Sequence, residues 1–396
     1  MKNSSSVNLP IGIALLPIFF LVLLLSINVF IYGDDSLNGT NQFILILSGL
    51  FGASIGFIYK VSYKEILKNI SNSVKSVTGA LLILLFVGAL AGTWMISGII
   101  PAMVYYGLKI LDPNIFLPAC VVICSIISVA TGSSWTTSAT VGIALVGIGK
   151  ALGIPPGMVG GAVIAGAYFG DKLSPLSDTT NLAAAVTKVD LFRHIKYLTY
   201  TTIPSISITL IVFIILGFMQ VSDGSTDNTY LLTAITEKFN ISLILFTVPI
   251  LVLIMIIKKT PPLIALVIGT LVGALFAIIF QPQIITELST GSYSKLTNTY
   301  IVIMDTITGS VSIETNNVIL NDLFSTGGML GMMNTIFLVI GTMVFGGVME
   351  AIGALKTISK TLLQWADTSF KLFASTVAYC LALNVSASDQ YLSIVV

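Results

Sequence analysis

Gly166-Ala-Tyr-Phe-Gly-Asp-Lys-Leu-Ser-Pro-Leu-Ser-Asp-Thr-Thr-Asn181 lies between two apolar runs, Met158 to Ala165 and Leu182 to Val186. It places two carboxylates, a lysine, several hydroxyls, a proline and an asparagine where the flanking residues predict hydrocarbon. Pro175 has no amide hydrogen to donate and disfavours helix at Ser174, so a membrane helix is expected to break here. The carbonyls freed by that break, with the side-chain oxygens of Asp171, Ser174, Ser177, Asp178, Thr179, Thr180 and Asn181, form an oxygen set suited to a small, hard cation such as Na+. An ionisable group at a helix centre costs about 3 kcal/mol on insertion scales, so two or three together call for a partner or a function. Burial disfavours the charged form of a carboxyl in general, and a carboxyl that takes either a proton or a metal cation is the minimal chemistry of cation/proton antiport. The alternative is a capped turn, in which Ser177, Asp178 or Thr180 caps a helix restarting at Leu182 and Asp171 pairs with Lys172 or a cytoplasmic lysine.

The rest of the chain supports reading those flanks as membrane. Of 396 residues, 55% are hydrophobic and 9% are charged, against roughly 25% charged in a soluble domain. The mean hydropathy is +1.00, and apolar runs of about 17 to 24 residues recur, enough to cross a ~30 Å hydrocarbon core. Ala, Leu, Gly and Ile abound without the period-2 alternation of a barrel, so the spans are predicted to be helices and the fold all-α and polytopic. The first run, Leu9 to Ile31, is too long for a signal-peptide core and stays as a membrane helix. A net charge of +1 gives no reason to expect nucleic acid or an acidic partner. With one histidine, and with Cys120, Cys124 and Cys380 inside apolar runs, neither a zinc site nor a disulfide framework is expected. HExxH and P-loop patterns are absent and the chain has a single histidine, so it reads as no enzyme and needs no cofactor.

Charges between the runs set an orientation. Lys60, Lys64, Lys68 and Lys75 face a single Glu65 and mark residues 60–77 as cytoplasmic, with a lysine spacing that fits an amphipathic helix on the membrane. Lys188, Arg193, His194 and Lys196 mark a second cytoplasmic segment, and Lys258 with Lys259 a third. The loops holding Asp34 and Asp35, and Asp223, Asp227 and Glu237, are external on the same rule. Helices are expected near 9–31, 42–59, 198–219, 240–257 and 262–280.

A second interruption, Thr131-Gly-Ser-Ser-Trp-Thr-Thr137, divides the run from Ile115 to Ala130 from that at Val141 to Gly149. It is read as the tip of a re-entrant hairpin entering from outside, which makes Lys150 external and the next span inward-running to Lys188; a simple kink would break the parity. Thr131, Ser133, Ser134 and Thr136 then line the same cavity as the first break, unless their hydroxyls bond back to their own helix. About 255 residues separate Gly92-Thr-Trp-Met-Ile-Ser-Gly98 from a similar Gly347-Val-Met-Glu-Ala-Ile-Gly353, and Ser133 falls approximately opposite Ser388-Asp-Gln-Tyr391. The first copy is expected to run outward and the second, before Lys356 and Lys360, inward: an inverted repeat over roughly 60–215 and 315–396 within one transmembrane transporter domain, 1–396. Chance matching in a glycine-rich chain is the alternative. Asn384, Ser386, Ser388 and Asp389 would be the inverted partner tip, and a full second copy would extend roughly 70 residues past Val396. The second repeat therefore reads as incomplete. Glu350 is expected to snorkel to the inner face, His194 to sit at the interface, and Gly166 with Gly170 to mark close helix packing.

The segment from Gly166 to Leu182 closely resembles the signature of the NhaC-type Na+/H+ antiporter family, and Ala387-Ser-Asp-Gln-Tyr-Leu392 its second-half motif. Gly92-Thr-Trp94, Thr131-Gly-Ser-Ser-Trp135 and Gly327-Gly-Met329 are also similar to family positions. The resemblance implies a bacterial inner-membrane, multi-pass carrier that exchanges external protons for internal Na+; some similar members exchange malate and protons for lactate and Na+. It carries Asp171, Ser174, Asp178, Thr179 and Asn181 as site residues and Asp389 as the second-half carboxylate. The expected partners are Na+, H+ and the lipid bilayer, with malate or lactate as the alternative cargo and an oligomer left open. A dicarboxylate favours bidentate arginine, yet Arg193 is the only arginine and belongs to a cytoplasmic segment. Half-helix N-termini are a substitute.

Overall fold

Apolar chain at membrane depth pairs its backbone most readily within itself, and the elements are accordingly almost all helices. A computed structural model describes residues 9–110, 113–175, 177–220, 228–258, 260–289, 293–315, 318–364 and 368–387; the side chains of Thr131, Thr136, Asp178 and Asn384 are among those outside the described set. In chain order the elements are α1 (Ile11–Tyr32), α2 (Thr40–Ile58), α3 (Tyr63–Ser76), α4 (Thr78–Ile96), α5 (Ile99–Ile110), α6 (Pro113–Thr131), α7 (Ser134–Thr137), α8 (Ile143–Ala151), α9 (Pro156–Leu173), α10 (Asp178–Val186) and α11 (Leu191–Gln220). There follow α12 (Asn228–Lys238), α13 (Thr247–Ile257), α14 (Pro262–Phe280), α15 (Pro282–Glu287), α16 (Lys295–Thr308), β1 (Val311–Ser312), α17 (Val318–Leu323), β2 (Ser325–Thr326), α18 (Gly328–Gly331), α19 (Met333–Ala351), α20 (Ala354–Gln364) and α21 (Ser369–Ala387). Among the described residues seven helices are long and apolar enough to cross a membrane, or eight if a bent pair counts as one span. The chain is an all-α polytopic membrane protein.

It divides into two compact units, one of Met1–Leu82 with Met333–Val396 and one of Ile83–Met332. In the first, α2 and α19 run parallel: Gly49 lies against Phe345, Gly52 against Val348 and Gly56 against Ile352. α19 therefore runs from the end of α2 next to Asp35 toward the end next to Lys60, the inward direction expected for it. α3 is amphipathic, capped by Ser62, whose Oγ accepts from the Glu65 amide at 3.2 Å. It buries Ile66 and leaves Lys64, Lys68 and Lys75 exposed. The two glycine-bounded motifs end their helices in the same way: Gly98 after α4 and Gly353 after α19 have φ of 78° and 76°, and a new helix starts at the next residue in each.

The second unit is organised around α9. α6 runs parallel to it at a constant offset, with Gly166 against the Val121 carbonyl, Gly170 against the Ser125 carbonyl and Ser174 bonded to the Val129 carbonyl. A Cβ at Gly166 or Gly170 would collide with α6 backbone, so the Gly166/Gly170 spacing serves close helix packing. α8 runs antiparallel to α9, with Gly142 against Val163 and Gly149 against Val159. The chain thus reverses between α6 and α8, at Gly132 (φ 68°) and Ser133, as a hairpin tip requires. α11 lies antiparallel to both: Gly217 meets the Asn114 carbonyl and Gly161 faces Phe213.

Three features differ from the expected helices. α11 begins at Leu191 rather than 198, so the basic residues Arg193, His194 and Lys196 form its first turns. The segment expected as an acidic loop up to Glu237 contains α12, and α12 and α13 form a pair bent by 85° where one plain helix at 240–257 was expected. Buried Gln281 closes that bend: the Asn240 amide donates to its Oε1 at 3.0 Å, and its Nε2 donates to the Asn240 carbonyl at 2.9 Å. Finally, β1 and β2 pair antiparallel, Val311 with Thr326 and Ser312 with Ser325, in a chain whose spans were read as wholly helical. Val311, Ile313 and Phe324 of this ribbon are buried, and the Phe324 ring meets Phe239 at 5.1 Å, edge to face.

Candidate functional site

α9 ends at Leu173, two residues before Pro175. Ser174 takes an extended conformation (φ −80°, ψ 127°), as a residue preceding proline should. The helix restarts at Asp178, four residues earlier than the Leu182 expected from sequence. Residues 174–177 thus separate α9 from α10. Carrying the Gly161–Phe213 pairing forward at ~1.5 Å per residue brings Asp171 abreast of about Ile203 and Pro204, near the middle of the ~45 Å α11.

Asp171 occupies the last turn of α9 and is 5% exposed. Ser134, the first residue of α7 after the hairpin tip, donates its hydroxyl to Asp171 Oδ2 at 2.9 Å. The tip of one hairpin and the carboxylate beside the break thus meet directly. Ser134 is buried, as is Thr137 one turn on, whose Oγ1 donates to the Ser133 carbonyl at 2.9 Å. Lys172 is exposed.

The other hydroxyls of the segment answer the backbone that the break leaves open. Thr180 Oγ1, buried, donates to the carbonyls of Lys172 at 3.2 Å and Asp171 at 3.4 Å, the orphan acceptors at the end of α9. Ser177 caps α10, its Oγ accepting from the Thr180 amide at 3.3 Å and lying 3.0 Å from Thr179 Oγ1. Asn181 Nδ2 donates to the carbonyls of Ser177 at 2.6 Å and Pro175 at 2.9 Å. Ser174 Oγ donates to the Val129 carbonyl at 2.8 Å, tying the break to α6. Ser128 makes the reciprocal bond to the Ala167 carbonyl at 2.5 Å. The capping alternative thus accounts for bonds of Ser177, Thr180 and Asn181, but not for the presence of a buried carboxylate.

The remaining candidates separate. The side chains of Asp178, Thr131 and Thr136 are outside the described set, Asn384 lies on α21 with its side chain outside it, and Ser388 and Asp389 lie outside the described residues altogether. Glu350 is exposed at the end of α19, and His194 is half-buried in the first turn of α11. Cys120 and Cys124 are buried on α6, where Cys124 faces Gly166. Among the described residues no three His, Cys, Asp or Glu side chains gather as a metal site. A single carboxylate among hydroxyl and carbonyl oxygens suits a weakly held hard cation rather than a transition metal. Reading the sequence did not single out Ser128 or Gln281; neither belongs to a polar cluster, and each works through a backbone group distant in the chain.

These elements define a polytopic membrane protein in which a helix break carries a buried carboxylate against a hairpin tip. A profile of the Na+/H+ antiporter family matches residues 166–396. The malate-2H+/Na+-lactate antiporter of Bacillus subtilis is 36% identical over 378 residues, which cover 95% of this chain and 76% of that protein. The Na+/H+ antiporter NhaC of Alkalihalophilus pseudofirmus is 35% identical over 350 residues, 88% of this chain and 73% of its own. The arginine/ornithine antiporter ArcD of Halobacterium salinarum is 32% identical across 97% of this chain and 76% of its own. The chain belongs to the Na+/H+ antiporter family.

Proposed function

We propose that this protein is a secondary antiporter of the plasma membrane that exchanges Na+ for protons at the interruption between α9 and α10. The observation that carries the reading is the Ser134–Asp171 bond: a carboxylate 5% exposed, with a hydroxyl on it from the opposing hairpin. Asp171 holds either a proton or Na+. Hydroxyl oxygens of Ser134, Ser174, Thr179 and Thr180, with carbonyls at the end of α9, complete the shell around the cation, and Asp178 supplies a second carboxylate. Na+ and the proton exclude each other because the protonated carboxyl offers no charge to the cation.

The test is proton movement in vesicles reconstituted with the full chain, followed by a pH dye under a Na+ gradient. Wild-type protein is expected to move protons only when Na+ is present, and the Na+ concentration for half-maximal rate is expected to rise as pH falls through the range where the two compete. Wild-type rates in both Asp171→Asn and Asp178→Asn would sink the site assignment.

A second reading rests on the 36% identity to the malate-2H+/Na+-lactate antiporter: the same Na+ and proton site drives exchange of an organic anion. The same vesicles, given labelled malate or lactate, decide between the two. Uptake driven by a Na+ or pH gradient selects the second; proton movement with no uptake selects the first.

A further inference from the structure

The outer end of the second unit holds a pocket that the ion site does not use. A cavity of about 550 Å³ opens where α14, α15 and the start of α16 meet, floored by Ile278, Pro282 and Ile285 and rimmed by Ser289, Tyr293 and Lys295. The charge rule puts this end of α14 outside, since the helix departs from the cytoplasmic Lys258. Lys295 is exposed, and no described carboxylate pairs with it. The nearby Glu287 is engaged by Lys238, so it does not cancel that positive charge. Ser289 Oγ is screened from solvent and has no hydrogen-bond partner. An ammonium and a hydroxyl therefore line one cavity, and neither has a partner among the described residues.

From its floor the cavity continues into an apolar track. Leu271, Leu275 and Ile278 lie on one face of α14 and are all exposed, as is Ile279 beside them. Tyr and Lys at the rim are residue types that favour the membrane–water boundary. A soluble anion would use the rim but not the track; an acyl chain alone would use the track but leave Lys295 and Ser289 unmatched. We propose that this pocket seats the headgroup of an anionic phospholipid of the outer leaflet. Its phosphate lies against Lys295 and Ser289, and an acyl chain follows Ile278, Leu275 and Leu271 down α14. This inference does not depend on which cargo the ion site drives.

Thermal unfolding of the purified full chain in bilayer discs of phosphatidylglycerol and of phosphatidylcholine tests it, with soluble glycerol 3-phosphate added to the phosphatidylcholine sample as a third arm. Wild-type protein and Lys356→Ala, a control at an exposed lysine of the other unit, are expected to melt several degrees higher in phosphatidylglycerol. Lys295→Ala and Ser289→Leu, which fills the cavity, are expected to lose that difference. An undiminished difference in Lys295→Ala overturns the proposal, even if Ser289→Leu fails to fold. So does equal stabilisation by soluble glycerol 3-phosphate, which would make the site one for a free anion.

Discussion

Between α12 and α13 the chain turns through 85°, and one neutral side chain, Gln281, bonds both the amide and the carbonyl of Asn240 at the turn. Between α9 and α10 the chain is also interrupted, but there Ser174, Ser177, Thr180 and Asn181 all bond backbone groups, and Asp171 stands buried beside them. Both places face the same demand, since a buried backbone group left unpaired costs about 1–3 kcal/mol. An amide meets it with no charge at all. A carboxylate is therefore not required to stabilise an interruption, and its presence at only one of the two is what the proposed function rests on.

The contrast is broken or sharpened by substitutions at the two sites. Asp171→Asn keeps the shape and removes the charge, and is expected to reduce Na+-dependent proton movement by about 100-fold or more while leaving the melting temperature nearly unchanged, since a buried charge adds little net stability. Gln281→Ala should do the reverse. It leaves two buried backbone groups unmet at about 1–3 kcal/mol each, so the protein should melt several degrees lower, while the molecules that remain folded transport at the wild-type rate. Transport lost in Gln281→Ala at full stability would erase the distinction. Ser134→Ala removes one hydrogen bond to a carboxylate, of about 1.5–3 kcal/mol, and should raise the Na+ concentration for half-maximal rate roughly tenfold with little effect on folding. The smallest effect belongs to Ser177→Ala, where a lost cap of about 1 kcal/mol should lower stability slightly in a denaturation series and leave the Na+ dependence as it was.

Much of this was readable in the residues, and the part that was not has a common cause. Long apolar runs and lysine-rich gaps place α1, α2, α6, α11 and α14, because hydrophobicity over 18 or more residues is a local property. Pro175 announces the break for the same reason, since its missing amide acts on its own helix. Gly166 and Gly170 announce a close neighbour without saying which, and α6 is identified only by the contacts of Val121 and Ser125. Division of labour inside the polar segment was hidden. Thr180 reads as a ligand from its oxygen, and the sequence does not show that its hydroxyl also donates to the carbonyl of Lys172, eight residues back. Gln281 was invisible because its partner is 41 residues away and a lone amide beside a proline looks like any helix end. The β1–β2 ribbon was missed because two-residue strands have no periodicity to detect.

The constant offset between α6 and α9 bears on how the protein would work as a carrier. Two glycines pressed onto carbonyls, with Ser174 and Ser128 bonding across in opposite directions, leave those helices no room to slide by a fraction of a turn. Shear between packed helices needs such small displacements. The pair, with the hairpin tip it supports, must instead tilt as a single rigid piece. On the function proposed above, opening Asp171 first to one side of the membrane and then to the other is a matter of rocking that piece against its surroundings, and a cross-link between α6 and α9 should leave transport running.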